Sequence, residues 1–419
     1  MKLLLPTLGS AGDIHPFLAI GRAMQARGHE VVVMTNPVFA DMVAQAGLAF
    51  HPVGTQQHYT DTVNSRKLWH PIDGLGVLWR RMARHAIEPV YTHIAQQVAS
   101  PTKRHCVVMA PPLMIGARLA NEKLGVPLLS AYSAATMLRS CQNPLTMAHW
   151  HVPAWIPMSV RAAAWLALDH FKLEPMVAAD IGQARLLLRL PALSQSVFGQ
   201  WMHSPKAGVT LFPDWFAPAP RDWPQQITQA GFPIYDGDGA GGLNAGLSQF
   251  LDEGEPPIVF TAGSAMGHGH AFFHAAVRSC AALGRRGVLL TTNVAQLPAD
   301  LPPNVHHSEY APFGLLLPRA SGLVHHGGIG TCAQALRAGL PQLVTPMAFD
   351  QFDNAMRLEL LGVAKSLQRR DTLLDDMTQS LRELLRSPEI AFACQQAASK
   401  VQAQREPVEG ICDLLESMQ

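Results

Sequence analysis

The sequence predicts an α/β protein built as two parallel-sheet domains. Three observations carry that prediction. Short Val- and Leu-rich runs alternate with helical stripes in both halves of the chain. Each half opens with the same unit: a strand, a Gly-Ser loop and a helix. Between the halves lies D-G-D-G-A-G-G-L-N-A-G, Asp236 to Gly246, a glycine-rich run that reads as a flexible linker. The expected division is an amino-terminal domain over 1–235, the linker over 236–246 and a carboxyl-terminal domain over 247–419.

The elements follow in order. Leu3 to Leu8 is a short apolar strand, too short and too soon interrupted by Gly9 to Asp13 to read as a signal peptide. Pro16 is expected near a helix start, where its missing N–H costs nothing. Phe17, Leu18, Ile20 and Met24 then form a helical stripe that ends at Gly28. Glu30 to Thr35 is the second strand, a helix spans about Phe39 to Ala46, and Leu48 to Val53 is the third strand. This β-α-β-α-β order implies crossover helices on a parallel sheet. The middle, Tyr59 to Tyr91 and Ser133 to Gln200, is helical and rich in aromatics and methionine, with a strand at Cys106 to Ala110 and a helix through Ala117 to Leu124 between. After the linker, strands are expected at Ile258–Ala262, Val288–Thr292, Gly322–His325 and Gln342–Thr345. Helices join them and fill the last fifty residues.

Composition excludes several classes. The 419 residues are 48% hydrophobic and 15% charged, which argues against disorder. A net charge of +1 gives no field for holding nucleic acid. No stretch of 18 apolar residues exists to span a bilayer. The six scattered cysteines form no C-x-x-C pair and read as reduced thiols of a cytoplasmic protein.

The strongest motif is H-H-G-G-I-G-T, His325 to Thr331, between a strand and a helix. Glycines let backbone approach a ligand, and the first turn of the helix offers free N–H groups and a positive dipole end. Such a site suits a diphosphate. A plain strand-to-helix turn requires neither two histidines nor three glycines. No G-x-x-x-x-G-K-[ST] occurs, and no G-x-G-x-x-G follows the first strand. Asp350, twenty residues after Gly330, does keep the spacing of a ribose-binding acid.

The second constellation is G-S-A-G-D-I-H-P, Gly9 to Pro16. It puts Asp13 at the carboxyl end of the first strand, where a carboxylate can take a proton from a hydroxyl. Asp is also a favoured N-cap, and the spacing does not choose between the two roles. His15 reads as a first-turn helix residue. Asp350 and Gln351, in F-D-Q-F-D-N, offer an acid and an amide suited to sugar hydroxyls, or simply a polar helix start. In H-G-H-A-F-F-H, His268 to His274, His270 and His274 could share a helix face and bind zinc, but no third ligand at metal spacing is visible and the run reads as a solvated helix start. The aromatics and methionines of Trp150 to Met176 are either core, or an apolar acceptor cleft or lipid-facing surface.

On these residues the chain resembles the inverting nucleotide-sugar glycosyltransferases of the UDP-glycosyltransferase-like family, over nearly its whole length. The resemblance implies two facing Rossmann-like domains with a cleft between them, the GT-B fold, and a last helix that can cross back to the first domain. G-S-A-G-D-I-H-P is similar to the G-S-x-G-D-[VI]-x-P opening of the bacterial and sterol branches. It implies Asp13 as the base, with His15 secondary. The strand ending Met109-Ala110-Pro111-Pro112 offers no acid to form a dyad. Donor binding is implied for Gly12, Gly263, Ser264, Tyr310, Ala311, Phe313, His325, Gly327, Gly328, Ile329, Gly330, Thr331, Asp350 and Gln351. His325 and the helix dipole would stabilise the leaving diphosphate. No metal and no cofactor are implied beyond the nucleotide-sugar co-substrate.

Four further phrases are similar to the rhamnosyltransferase family of rhamnolipid synthesis: R-K-L-W-H-P at Arg66, I-E-P-V-Y at Ile87, Q-W-M-H-S-P at Gln200 and L-F-P-D-W-F-A-P at Leu211. That resemblance implies dTDP-L-rhamnose as donor and a 3-(3-hydroxyalkanoyloxy)alkanoate as acceptor, with Trp69, Trp79, Trp150 and Trp155 in the acceptor cleft. It leaves open a peripheral contact at the inner membrane and a partner subunit supplying the acceptor. Three alternatives stand beside it: a UDP-sugar transferase acting on a sterol or polyketide, an NAD-dependent oxidoreductase, and a non-catalytic helper subunit.

Overall fold

The structure, a computed structural model, describes residues 1–70, 73–99, 105–143, 152–153, 155–237, 242–263, 269–367 and 373–419. The chain divides into two compact units. One comprises 1–146, 150–235 and 405–419, and the other 147–149 and 236–404.

Among the described residues the first unit holds seven strands: β1 (Lys2–Pro6), β2 (Glu30–Thr35), β3 (Ala49–Pro52), β4 (Cys106–Ala110), β5 (Leu128–Tyr132), β6 (Gly208–Thr210) and β7 (Ile227–Gln229). They form one sheet in the order β3-β2-β1-β4-β5-β6-β7. Every pairing is parallel. Side chains alternate across the sheet with period two. Leu3, Leu5, Val31, Val33, Val107 and Met109 therefore share one core with the helix Ala11–Ala26. Leu4, Val32, Met34 and Val108 share another core on the opposite face with Ala86, Val90 and Ala117. Both faces of β1 are buried, which is why it reads as an unbroken Leu run.

The second unit repeats the plan. Its strands are β8 (Ile258–Thr261), β9 (Gly287–Leu290), β10 (Val305–Ser308), β11 (Gly322–His325), β12 (Gln342–Val344) and β13 (Ala364–Ser366). They lie in the order β10-β9-β8-β11-β12-β13, again all parallel. In each sheet the strand order reverses beside the first strand, between β1 and β4 and between β8 and β11. Open α/β sheets bind ligands at the carboxyl ends of such strands.

The helix Pro407–Glu416 belongs to the first unit and packs on the helix Ala11–Ala26. Ile411, Cys412 and Leu415 enter the core there. Arg27 binds the carboxylates of Glu409, Asp413 and Glu416, and His29 meets Glu416 at 2.8 Å. The segment 405–419 thus groups with the first unit, where the sequence predicts a block over 247–419 with a last helix that can cross back. At the linker, residues 238–241 lie outside the described residues. Asp236 is fixed within the second unit: Gln334 Nε2 donates to it at 2.6 Å and Arg337 pairs with it at 2.5 Å.

Pro16 does not open its helix. The helix starts five residues earlier, at Ala11, and carries Pro16 inside it. Proline there forgoes the bond to the Gly12 carbonyl. The aromatic-rich middle is helical at Gln56–Val63, Gly74–Val98, Met158–Leu187 and Val197–Trp201.

Candidate active site

At the end of β1 the chain turns through Gly9 and starts a helix with Ser10 as N-cap. Asp13 is the third helical residue, not the cap. Its Oδ2 accepts from the Ser10 backbone N–H at 2.7 Å and from the Ser10 hydroxyl at 3.0 Å. This is a capping box with the aspartate reaching back. Gly9 makes the arrangement sterically feasible. It has φ +131°, and a Cβ there would collide with Asp13 Oδ2. Asp13 is half-buried, and burial pushes its carboxyl above the usual aspartate range against the opposing Ser10 hydrogen bonds. The Tyr59 phenol, pushed up to about 12 by burial, also feels the negative charge of Asp13. His15 packs its ring on Tyr235 at 5.6 Å. Gly12 is exposed beside Ser10.

The second unit builds its counterpart from the ends of β8 and β11, which pair at Thr261 and His325. His325 departs from its expected role. It is fully buried, the Gly327 N–H donates to its Nδ1 at 3.1 Å, and its Nε2 meets Gln342 Oε1 at 3.0 Å. Accepting at Nδ1 places the proton on Nε2, so both ring nitrogens are committed inside the protein. Burial lowers its pKa to about 3, with His326 adding to the shift, so the ring is neutral. His325 shapes the turn and has no donor left for a ligand.

The neighbouring His326 packs against two glycines. A Cβ on Gly263 would meet its ring at 2.8 Å, and one on Gly328 would meet its Nε2 at 2.5 Å. Both glycines are what let this imidazole lie between the two loops. Burial holds His326 neutral, with a pKa of about 4, and its Nδ1 has no hydrogen-bond partner among the described residues.

Gly328 caps the helix Ile329–Ala338. The N–H groups of Ile329, Gly330 and Thr331 belong to its first turn and have no intrahelical acceptor. Gly330 is exposed, with open space where a side chain would stand. Gly327, at φ +91°, lets the helix Gln351–Leu360 approach: a Cβ there would lie 2.9 Å from Val344 and 3.0 Å from the Gln351 carbonyl.

That helix joins the acid-amide pair to the glycine turn. Asn354 Nδ2 donates to the Gly327 carbonyl at 2.9 Å and to Asp350 Oδ2 at 2.7 Å. Gln351 is buried, and its Oε1 accepts from Met347 and Ala348 at 2.8 and 3.1 Å. Its acceptor is therefore spent on the preceding turn. Phe349, just before the pair, is held at φ +56°.

At the ends of β9 and β10, Tyr310 stands exposed at an open pocket with Asn244, Val294, His307, Ser308 and Glu309. The Ser308 hydroxyl donates to the Tyr310 carbonyl at 2.9 Å and accepts from Asn244 Nδ2 at 2.9 Å. Ala311 is buried, and Phe313 opens the short helix Phe313–Leu316.

The described members of the expected acceptor tryptophans differ in burial. Trp79 is a core residue whose Nε1 donates to Asp180 at 2.7 Å. Trp155 is exposed, and Trp69 ends the short helical turn Arg66–Trp69. Trp150, Ser264 and His268 lie outside the described residues. Among the described residues no three His, Cys, Asp or Glu side chains gather as a metal site. His270 and His274 stack their rings at 4.0 Å. No described helix is long and apolar enough to cross a membrane.

Residues 3–141 match the glycosyltransferase family 28 N-terminal domain, and residues 286–418 match the C-terminal domain of the erythromycin biosynthesis protein CIII-like group. The chain is a GT-B glycosyltransferase. Such an enzyme takes its sugar from a nucleotide-sugar donor. Over 99% of the chain and 97% of the relative, it is 27% identical to the O-mycaminosyltylonolide 6-deoxyallosyltransferase of Streptomyces fradiae. Over 93% of the chain and 64% of the relative, it is 23% identical to a sterol 3-beta-glucosyltransferase of Arabidopsis thaliana. Two solved structures share the fold. One is the glycosyltransferase of kitacinnamycin, with TM-score 0.73, 20% identity and coverage of 100% and 98% of the two chains. The other is the glycosyltransferase VinC in complex with dTDP, with TM-score 0.69, 20% identity and coverage of 100% and 99%.

Proposed function

We propose that this glycosyltransferase is inverting and moves L-rhamnose from dTDP-L-rhamnose to the hydroxyl of a 3-(3-hydroxyalkanoyloxy)alkanoate. The observation that carries the chemistry is Asp13, a half-buried carboxylate with a raised pKa, held at the end of β1 through one oxygen. Oδ1 takes the proton from the acceptor hydroxyl as that oxygen attacks the anomeric carbon. The bond from that carbon to the diphosphate breaks, and its electron pair leaves with the diphosphate. The N–H groups of Ile329, Gly330 and Thr331 and the neutral His326 ring receive the developing charge. Asp350 and the Gln351 amide bind the sugar hydroxyls, and Tyr310 stacks on the base. The bound dTDP of VinC supports a thymidine diphosphate donor. The four rhamnosyltransferase-like phrases support the sugar and the lipid.

A second reading keeps the chemistry and changes the acceptor to a polyketide or sterol. The names of the Streptomyces and Arabidopsis relatives favour it. One experiment separates the two. The protein is incubated with dTDP- and UDP-sugars against a hydroxyalkanoyloxyalkanoate, a macrolide aglycone and a sterol, and nucleoside diphosphate release is measured. The lipid reading expects acceptor-dependent dTDP release that rises with alkyl length, since each buried methylene adds about 0.8 kcal/mol. Release with only the macrolide or sterol replaces it with the second reading.

A further inference from the structure

We infer that the helical segment Trp155–Leu187 of the first unit is a docking surface for an anionic lipid membrane. Its helix from Met158 to Leu168 is turned inside out. The only charge in that stretch, Arg161, is 8% exposed. Its Nη1 donates to the Cys141 carbonyl at 2.9 Å and its Nη2 to the Pro153 carbonyl at 3.1 Å. Asp169, 6% exposed, pairs inward with Arg139 and accepts from the Ser196 hydroxyl at 3.1 Å. The charged groups of Arg161 and Asp169 are thus turned into the protein interior. The apolar ones face out: Trp155 is 81% exposed, Leu166 69% and Phe171 80%, with Met158 and Val160 more than half exposed. An ordinary surface helix does the reverse. Apolar surface of this extent marks an interaction site.

Charge names the partner. Phe171 lies between His170 and Lys172, both exposed, and Lys172 reaches Asp73 at 3.8 Å. The segment Arg66–Arg84 beside it exposes five cations, Arg66, Lys67, Arg80, Arg81 and Arg84, against one carboxylate, Asp73. It packs against the same element, with Met176 Sδ 3.5 Å from the place a Cβ on Gly76 would take. Aromatic and aliphatic side chains beside a basic collar are the chemistry of an interfacial anchor on anionic lipid. A protein partner would be expected to meet such a collar with carboxylates rather than with an uncharged helix face. The inference stands independently of the transferase reading, because none of these side chains belongs to the donor site or to Asp13.

The test is flotation of the whole protein with vesicles of phosphatidylcholine alone and with roughly one third phosphatidylglycerol added. The expected result is binding to the second only, weakened by salt. Leu166→Ser with Phe171→Ser should lower the partition coefficient by roughly tenfold or more. Arg80→Glu with Lys172→Glu should abolish the preference for phosphatidylglycerol. Both pairs lie on the surface, and an unchanged melting temperature and donor turnover certify their folding. Absence of wild-type binding, or binding that the two pairs leave intact, overturns the inference. So does a dimer in sedimentation velocity that Leu166→Ser with Phe171→Ser dissolves without any vesicle binding, since the face would then belong to a second copy.

Discussion

Replacing Asp13 by Asn tests the base directly, because the structure lets the chemistry be removed while the shape stays. The two Ser10 donors both fall on Oδ2. An amide oxygen of the same size accepts them equally well in geometry, although bonds to a charged acceptor contribute about 1.5–3 kcal/mol and neutral ones about 0.5–1.5. The capping box is therefore weakened by about 2–3 kcal/mol over its two bonds. Removing a carboxylate whose charged form burial already disfavours offsets that loss. Net stability should change by about 1 kcal/mol or less. Turnover should fall by about 10²–10⁴, the usual contribution of a positioned base. The measurements are thermal unfolding, calorimetric dTDP binding and acceptor-dependent release of dTDP. A folded variant that binds dTDP normally and turns over within about threefold of the parent would remove Asp13 from the mechanism, because an effect that small is worth less than about 1 kcal/mol.

The same carboxylate sets a pH dependence. Its base form is required, so kcat/KM should fall on the acid side with an apparent pKa above 3.8, and a limb at or below that value would contradict the burial argument. The sign for folding is opposite. A carboxyl raised in the folded state stabilises the protein below its unfolded pKa, and that contribution is lost as pH rises through the folded value, so Asp13→Asn should flatten this part of the stability–pH curve. The histidine pair should split: His326→Ala should weaken dTDP binding with little change in melting temperature. His325→Ala, which orphans the Gly327 N–H and Gln342 Oε1, should cost about 2–5 kcal/mol in denaturant unfolding; equal effects at the two sites would refute the division of roles. Gly330→Val fills the open space before the first helical turn and should weaken dTDP binding in calorimetry at a cost of less than about 1 kcal/mol in stability.

Sequence patterning reached the sheets and stopped short of the rotamers. β2, β4 and β11 begin and end where the Val-rich runs predict, because a strand buried on both faces has no other composition open to it. β6, β7 and β13 carry only three residues each and leave no periodicity to read. β10 is V-H-H-S, an edge strand whose histidines face Phe250 and the Thr291 carbonyl. It is not among the strands expected from the sequence. In the aromatic middle, Trp79 and Trp155 look equivalent in sequence. Asp180, a hundred residues away, satisfies the Trp79 indole in the core, and no local signal marks that partner.

The doublet His325-His326 shows where such reading must fail. Both residues sit between a strand and a glycine turn, and the motif says that a histidine is needed without saying which. The choice is made by pleat direction at the last residue of β11. His325 still belongs to the ladder, so its side chain points into the sheet's own packing, where Gln342 on the adjacent strand waits for it. One residue on, the chain has left the ladder and the ring swings to the open end, into space kept by Gly263 and Gly328. A period-two argument extended by a single residue would have made the distinction: β11 ends on a buried, neutral histidine with both nitrogens spent, and only the next imidazole retains a nitrogen without a partner among the described residues. The Ser10–Asp13 box follows the same logic. Three-residue spacing announces a cap, and the glycine one position earlier, at a φ that side chains avoid, is the sequence sign that the carboxylate folds back over the backbone instead of pointing along the helix.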